Sequence, residues 1–286
     1  MPDDAILFIA DTHAGPPRPG WSQQTCCRHL MPQIADGVGR LARERGVGLV
    51  VHGGDVTDLA ELEYAADMFD RFGTDVAVCL GNHDLMSEGA LEAWRALESD
   101  RVRFAPLVIP LARADLVLAN CAWQGEDGVA MFWDARPPAE AFTMEQAEWL
   151  DAALAAGDAA RPACVVIHAP LDPLPPRLTG EPDDIHKPVP LYVAAVSRVL
   201  DDHPRVRLVL SSHTHVNCAT WHGRRVHVTT AAAIEVPFEV RLVRFGPEAI
   251  RIETLPAIPT PQDVHYDETK AWVSGQPEDR MIEIPL

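Results

Sequence analysis

Five short apolar runs in the chain each end in side chains that can bind metal ions. The runs are rich in β-branched residues and are bounded by Gly or polar residues, a pattern typical of buried strands. In an α/β sheet the carboxyl ends of such strands meet at one edge, where ligands bind. The sequence therefore predicts a metal site there. The polar residues that follow the runs are Asp11 and His13, then Asp55, then Asn82, His83 and Asp84, then His168, and last His213 and His215.

The same residues form five motifs whose order along the chain is specific. The motifs are Asp11-x-His13, Gly54-Asp55-Val56-Thr57-Asp58, Gly81-Asn82-His83-Asp84, a lone His168 and His213-x-His215. In this order they resemble the calcineurin-like metallophosphoesterase superfamily over residues 11 to 215, with every liganding position present. One departure is Ser212, which stands where the last motif usually has Gly. We expect the extra hydroxymethyl group to affect the local backbone rather than the metal site.

The resemblance implies a centre of two divalent ions that share Asp55 as a bridge. Two ions about 3.5 to 4 Å apart stabilise both the attacking and the leaving oxygen of a phosphoryl displacement, and a hydroxide that bridges them is the implied nucleophile. Mixed imidazole and carboxylate ligands suit Mn, Fe, Zn or Co better than Mg or Ca, and we favour Mn. By resemblance, one ion takes Asp11, His13 and His215, and the other takes Asn82, His168 and His213.

Three residues beside the ligands are given supporting roles. His83 directly follows Asn82, so its ring is placed to protonate the departing alkoxide or to stabilise charge on the phosphoryl group. Asp84 is expected to assist catalysis by orienting His83 or a neighbouring ligand. Asp58 belongs to the family motif but not to the ions, and we expect it to be structural.

The resemblance implies a phosphoester hydrolase. The short chain, the Asn82 to Asp84 motif and a helix at Thr143 look most like bacterial class III phosphodiesterases, which act on cyclic nucleotides or glycerophosphodiesters. One alternative is a phosphomonoesterase or a hydrolase of nucleoside diphosphate conjugates. Another is a non-catalytic scaffold of the same fold, but a scaffold is expected to have lost ligands or His83, and this chain keeps them.

The composition of the chain limits the kinds of substrate and partner that we expect it to bind. The formal charge of −18 opposes a long nucleic acid, whose recognition depends on basic patches, and favours a small phosphoester substrate drawn in by the metal ions. No apolar run approaches 18 residues, and no signal-like segment precedes the first strand, so we predict a cytoplasmic protein without membrane contact. The apolar fraction of 47% allows a sizeable core.

Alternating strands and helices predict an α/β fold with two packed mixed β-sheets flanked by helices, in four layers (α-β-β-α). Gly46 and Gly73 are predicted to end helices, and Thr143 with Gln146 to begin one as a capping box. Residues 1–255 are predicted to form one domain, and residues 256–286 an extended tail packed on it or on a partner subunit, which leaves a homo-oligomer open. Further helices are predicted over about Leu59 to Phe72, Ser87 to Leu97 and Leu191 to Leu200, and a loop over Trp123 to Pro138.

Seven other histidines are expected to be ordinary residues, because a lone His is more often a satisfied side chain than a ligand. An insertion from Leu171 to Pro190, with six prolines, could form a lid over the metals. His186 and Lys187 lie in it and are candidate substrate contacts. The seven histidines are His29, His52, His186, His203, His222, His227 and His265.

Overall fold

A computed structural model describes residues 4–16, 22–86, 88–125, 128–130 and 139–286. The helices are α1 (Met31–Arg45), α2 (Leu62–Phe72), α3 (Ala90–Arg95), α4 (Met144–Ala155), α5 (Pro176–Thr179), α6 (Pro190–Asp202) and α7 (Pro277–Arg280). The strands are β1 (Ala5–Ile9), β2 (Leu49–His52), β3 (Asp75–Val78), β4 (Val102–Phe104), β5 (Leu107–Pro110), β6 (Asp115–Leu118), β7 (Ala122–Gly125), β8 (Gly128–Ala130), β9 (Ala139–Ala141), β10 (Ala163–Val166), β11 (Val206–Ser211), β12 (Cys218–His222), β13 (Arg225–Thr229), β14 (Glu239–Phe245), β15 (Ala249–Pro256) and β16 (Met281–Pro285).

Two large mixed sheets form the centre of the molecule, which confirms the predicted fold. The first has the order β16-β15-β14-β1-β2-β3-β4, and the second β12-β13-β11-β10-β6-β5. Strands β1 to β4 run parallel, as do β6, β10, β11 and β13, while the remaining members of each sheet pair antiparallel. The parallel strands bury both faces, so they appear in the sequence as continuous apolar runs.

Alternate residues of the strands pack into two different parts of the hydrophobic core. Ile6 and Phe8 of β1 belong to one buried cluster with Leu116 of β6 and Leu208 of β11, so this cluster joins the two sheets. Leu7, on the opposite face of β1, belongs to the cluster that includes the buried sides of the helices. The period of two along each strand thus supplies both the contact between the sheets and the contact with the helices.

The predicted helix ends are confirmed where local chemistry determines them. Gly46 and Gly73 follow α1 and α2 in the left-handed region, at φ 66° in both cases. Thr143 and Gln146 form the predicted capping box at the start of α4. Helix α2 begins at Leu62 rather than near Leu59, because Leu59 and Ala60 adopt positive φ values of 58° and 53°, which no right-handed helix accommodates.

One prediction about a segment without regular structure was wrong. Within residues 123–138, predicted as a loop, β7 and β8 pair with each other, and β7 also pairs with β9 in a small third sheet. The rest of that segment lies outside the described residues. The tail predicted over residues 256–286 ends in β16, which pairs with β15, so residues 281–285 pack on the domain as an edge strand of the first sheet. None of the helices in the described ranges has the length and apolar character needed to cross a membrane.

We expect the tail strand to contribute substantially to stability. Ile284 is fully buried among the residues that join the two sheets. Ile284→Ala removes that packing and should lower the free energy of unfolding by about 2–5 kcal/mol. Its neighbour Glu283 forms only an exposed ion pair with Arg251, so Glu283→Ala should change it by less than about 0.5 kcal/mol. Urea denaturation of both variants measures the difference. An effect of Ile284→Ala as small as that of Glu283→Ala would contradict the expected contribution of the strand.

Candidate metal centre

The predicted ligands lie in loops that leave the carboxyl ends of β1, β2, β3, β10 and β11. Their backbone is unusual, since five of the seven predicted ligands have left-handed φ values between 39° and 69°. Such conformations cost a non-glycine residue roughly 1–2 kcal/mol each, and the surrounding fold has to hold them in place. Strain is therefore concentrated at the ligands. The five are Asp11, His13, Asp55, His213 and His215.

The first half of the site brings together Asp11, His13, Asp55 and His215, with one ligand atom of each within 4.8 Å of the others. His215 Nε2 lies 3.6 Å from Asp11 Oδ1, and His13 Nε2 lies 3.9 Å from Asp55 Oδ2. These separations exceed a hydrogen bond but suit two ligands that face one ion, because each bond to a transition metal is about 2.0–2.2 Å long.

The second half brings together Asp55, His168 and His213, again with one ligand atom of each within 4.8 Å of the others. His168 Nε2 lies 3.5 Å from Asp55 Oδ2 and 3.2 Å from Asn82 Oδ1, which places the amide at the same point. Asp55 is common to both halves, and the same oxygen, Oδ2, faces His13 and His168. All seven predicted ligands therefore converge, and Asp55 lies where a bridging carboxylate is required.

The imidazoles are held in the tautomer that metal binding needs. His13 Nδ1 lies 3.0 Å from Asp58 Oδ1, His215 Nδ1 lies 2.7 Å from Glu235 Oε1, and His168 Nδ1 lies 2.9 Å from Gly53 O. These oxygens only accept hydrogen bonds, so each Nδ1 carries a proton and Nε2 is the nitrogen left to bind an ion. His13 Nε2 is buried without a hydrogen-bond partner among the described residues. The side chains therefore fit a pair of divalent ions.

Burial and charge act in opposite directions on the pKa values of the site. Burial would raise the pKa of Asp55, but the imidazoles of His168, His83 and His13 hold it well below its usual range. Burial would lower the pKa of His168, but Asp55 above all raises it to about 9. For His213 burial dominates and lowers the pKa to about 3, which keeps this ring in the neutral form that binds metal.

Asp58 has a larger role than the structural one predicted from sequence. Its Oδ1 accepts hydrogen bonds from Nδ1 of His83 at 2.8 Å and of His13 at 3.0 Å. Its Oδ2 pairs with Arg28 Nη2 at 2.7 Å. One carboxylate thus orients both a predicted ligand and the predicted general acid. Burial lowers and the carboxylates of Asp55 and Asp58 raise the pKa of His83, and the net direction is upward.

The structure places Asp84 beneath the site and not beside His83. Its carboxylate accepts the backbone N–H groups of Gly81 at 2.9 Å, Thr57 at 3.0 Å and Val56 at 3.2 Å. Burial, followed by the charge of Asp55, raises its pKa to about 7. Of the two roles predicted for Asp84, its contacts do not include orientation of His83, whereas its hydrogen bonds to the backbone after Asp55 agree with support of a neighbouring ligand. Asp84 ties together the two motif loops that follow β2 and β3.

The insertion reaches the site through His186. Gln23 Nε2 lies 3.3 Å from His186 Nε2 and 3.3 Å from the carbonyl oxygen of Thr214, next to the ligand His215. Burial, followed by the charge of His215, lowers the pKa of His186. Lys187 is exposed. Contact of either residue with substrate stays a prediction.

Sequence reasoning missed two acidic residues of the site. Glu235 is 2% exposed and holds His215, while it also accepts the backbone N–H groups of Gln23 and Gln24. Its one sequence signal is an acid within the apolar run Ala231 to Val236. Glu140 of β9 places Oε1 3.6 Å from His213 Nε2. No motif marks it, because it comes from a segment far along the chain from any ligand.

This fold and this two-part ligand cluster define a metallophosphoesterase. A model of the calcineurin-like phosphoesterase family matches residues 5–217, and the chain belongs to that family. It is accordingly a metal-dependent phosphoesterase, and its ligand cluster is that of a dinuclear divalent metal centre. No curated protein is similar enough in sequence to count as a relative.

Solved structures support the same fold. A dimetal phosphatase from Danio rerio is similar over 100% of this chain and 99% of its own, with 16% identity and a TM-score of 0.69. The purple acid phosphatase PPD1 from yellow lupin seeds matches 92% of this chain and 52% of its own, with 11% identity and a TM-score of 0.57. GAP50, described as the anchor in the inner membrane complex of Plasmodium, matches 93% of this chain and 90% of its own, with 10% identity and a TM-score of 0.56.

The contact between Glu235 and His215 predicts a measurable effect on metal affinity. Glu235→Gln keeps the size of the side chain but weakens the acceptor that fixes the His215 tautomer. Such partners of a metal ligand are typically worth 10–100-fold in affinity, so one ion should bind more weakly by about that factor. Competition with a chromophoric chelator measures it. Asp151→Asn, which alters a carboxylate–histidine pair outside the centre with His203, is the matched control and should have no effect. An unchanged affinity in Glu235→Gln would contradict the assignment.

Proposed function

We propose that this phosphoesterase hydrolyses small phosphodiesters, with cyclic nucleotides and glycerophosphodiesters as the substrate classes and Mn as the favoured metal. The observation that carries the proposal is the charge around the metal centre. A phosphodiester presents one negative charge, whereas a phosphomonoester presents close to two near neutral pH. Among the residues that the structure describes, the site has an additional carboxylate and its nearby arginine is already paired, and this balance favours the phosphodiester.

One arginine of the described residues contacts the ligand loops and is already engaged. Arg28 pairs with Asp58 and donates a second hydrogen bond, 2.8 Å long, to the carbonyl oxygen of His13. Glu140 adds a negative charge beside His213, and its second oxygen accepts the backbone N–H of Val189 at 3.3 Å, at the end of the insertion. A dianionic phosphoryl group would approach this carboxylate at a cost in Coulomb energy, and a monoanion would meet less repulsion.

The residues of the chain divide the chemical work. When bound, the two divalent ions supply an activated water and stabilise negative charge on the phosphoryl oxygens. His83 donates Nδ1–H to Asp58, so Nε2 is the nitrogen directed to a substrate. The His83 side chain is 36% exposed and that of Asp58 only 8%, so His83 is the group that a leaving alkoxide can reach. His83 supplies the proton, and Asp58 positions it.

The scaffold alternative receives no support from the site. GAP50 shows that the fold can serve a protein described as an anchor. In this chain, however, the seven ligands converge, and three of the five histidines that converge there, His13, His83 and His215, are oriented by buried carboxylates. Buried acids of this kind are costly unless they are paired, so their retention favours a working metal centre.

The role of His83 can be tested with two leaving groups. An alkyl ester leaves as a basic alkoxide that needs a proton, whereas a nitrophenyl ester leaves as a stabilised anion. His83→Ala should lose about 10²- to 10⁴-fold in kcat with the alkyl diester and much less with the nitrophenyl diester. Kinetics on one metal-loaded preparation decide the matter. Equal losses would mean that His83 acts on the phosphoryl group and not on the leaving group, and a loss of metal would make it a support of the ligands.

The charge argument predicts a shift in substrate preference. Glu140→Gln removes the carboxylate beside His213, so kcat/KM should rise for 4-nitrophenyl phosphate relative to bis(4-nitrophenyl) phosphate, by roughly 3- to 10-fold, the size expected for one partly screened charge. Glu145→Gln, an exposed acid at the start of α4, is the control and should leave the ratio unchanged. A wild-type protein that already prefers the monoester would overturn the proposed diesterase and favour the phosphomonoesterase.

A further inference from the structure

Three metal-ligating side chains meet outside the dinuclear centre. Asp172 lies in the loop after β10, His222 is the last residue of β12, and His227 lies in β13. One ligand atom of each lies within 4.8 Å of the others. We propose that Asp172, His222 and His227 form a third metal site, which takes a single Zn²⁺ and which we call the hairpin site.

The geometry of the hairpin β12–β13 brings the two imidazoles together. Thr220 pairs with His227 and His222 with Arg225 in an antiparallel ladder, so His222 and His227 lie diagonally across one face of the hairpin. Their ring centroids are 4.3 Å apart, with 33° between the ring planes. Two rings held side by side in this way direct their nitrogen atoms to a common point without any loop rearrangement.

Asp172 is the third ligand of the hairpin site and contacts both histidines. Its Oδ1 lies 2.9 Å from His222 Nε2, and its Oδ2 lies 2.6 Å from His227 Nδ1. Two ligands on a tetrahedral zinc ion with bonds of about 2.0 Å are about 3.3 Å apart, so the side chains have to separate by only a few tenths of an ångström to admit the ion. Two imidazoles and one carboxylate, with water in the fourth position, form a donor set that Zn²⁺ accepts.

The surroundings of His227 also favour a ligand. This side chain is 7% exposed, and its Nδ1 faces Asp172. Burial lowers the pKa of His227 in spite of Asp172, so the ring is neutral. Its Nε2 is buried without a hydrogen-bond partner among the described residues, so Nε2 can take up the proton that Nδ1 gives up when it binds the ion. His222 is 44% exposed, so the hairpin site opens to solvent on that side and an ion can enter. The expectation that both histidines are ordinary residues is revised on these grounds.

The location of the hairpin site gives the ion a structural role. Asp172 follows the predicted ligand His168 by four residues and stands at the start of the insertion, whereas the hairpin follows the ligand His215. A zinc ion here would join the start of the insertion to the hairpin. Its contribution is to stability, because a ligand that binds only the folded chain shifts unfolding in favour of the native state.

Zinc binding to the whole chain tests the proposal. The metal-free protein is titrated with Zn²⁺ alone, and bound zinc is counted by elemental analysis after removal of free ions. Wild type should bind three equivalents, and His222→Ala and Asp172→Asn should each bind two. Outer partners of a metal ligand are worth 10–100-fold in affinity, so loss of a ligand should weaken the third equivalent by at least about 10-fold. His222 is exposed at the end of a strand, so its variant should fold normally.

His203→Ala is the matched control, since His203 contacts Asp151 at 2.8 Å but has no second histidine in its group. It should bind three equivalents, with the same rise in thermal midpoint on zinc addition as wild type. The proposal is overturned if wild type and His222→Ala bind the same amount of zinc with equal affinity, or if His203→Ala loses the third equivalent as well, which would mean diffuse binding to surface histidines. No readout depends on phosphoesterase activity, so the diesterase proposal can fail while the hairpin site stands.

Discussion

The rest of the structure depends on the burial of Asp55 between two sets of imidazoles. Its side chain is 2% exposed, and Oδ2 faces His13 on one side and His168 on the other. Such a carboxylate is tolerable only with positive charge or hydrogen bonds around it. The motifs contain glycines because the ligand side chains lie so close to the backbone there that a Cβ would not fit. A Cβ at Gly81 would lie 2.2 Å from Asp55 Oδ1, and one at Gly54 would lie 2.4 Å from His168 Nδ1.

A second layer of acids holds the ligand layer in place. Asp58 orients His13 and His83, Glu235 orients His215, and Asp84 fixes the backbone that carries Asp55. Glu235 and Asp84 also accept backbone N–H groups of the loops, and Asp58 also pairs with Arg28. The left-handed ligand backbones are strained, so they need this bracing. Ser212 contributes in the same way, because its hydroxyl donates to the carbonyl oxygen of Gly53 at 3.1 Å, which turns the departure from the family motif into a contact.

The sequence predicted which side chains converge, because these residues follow strand ends, where residue type and spacing are visible without tertiary information. It also predicted helix ends governed by a single Gly or by a capping box. The sequence did not predict features that depend on contacts between segments far apart along the chain. Glu235 acts on a ligand 20 residues away and on the loop at Gln23, which lies 212 residues from it. Strand β16 alternates buried and exposed residues over only five positions, too few to distinguish from an irregular tail until its pairing with β15 is known.

The large negative charge of the chain is compatible with an anionic substrate. Salt screens the surface charges, whereas the metal centre acts on the phosphoryl group at short range. Surface acids are screened beyond about 8–10 Å in physiological salt, so they add little at the reacting phosphoryl group. At the centre, two dications exceed the charges of Asp11 and Asp55 by about two units. Arg28 neutralises Asp58, and Glu235 and Glu140 together offset that excess. This balance of charge is the basis of the proposed preference for a diester, in which the acids that orient the ligands would also limit the charge of the substrate.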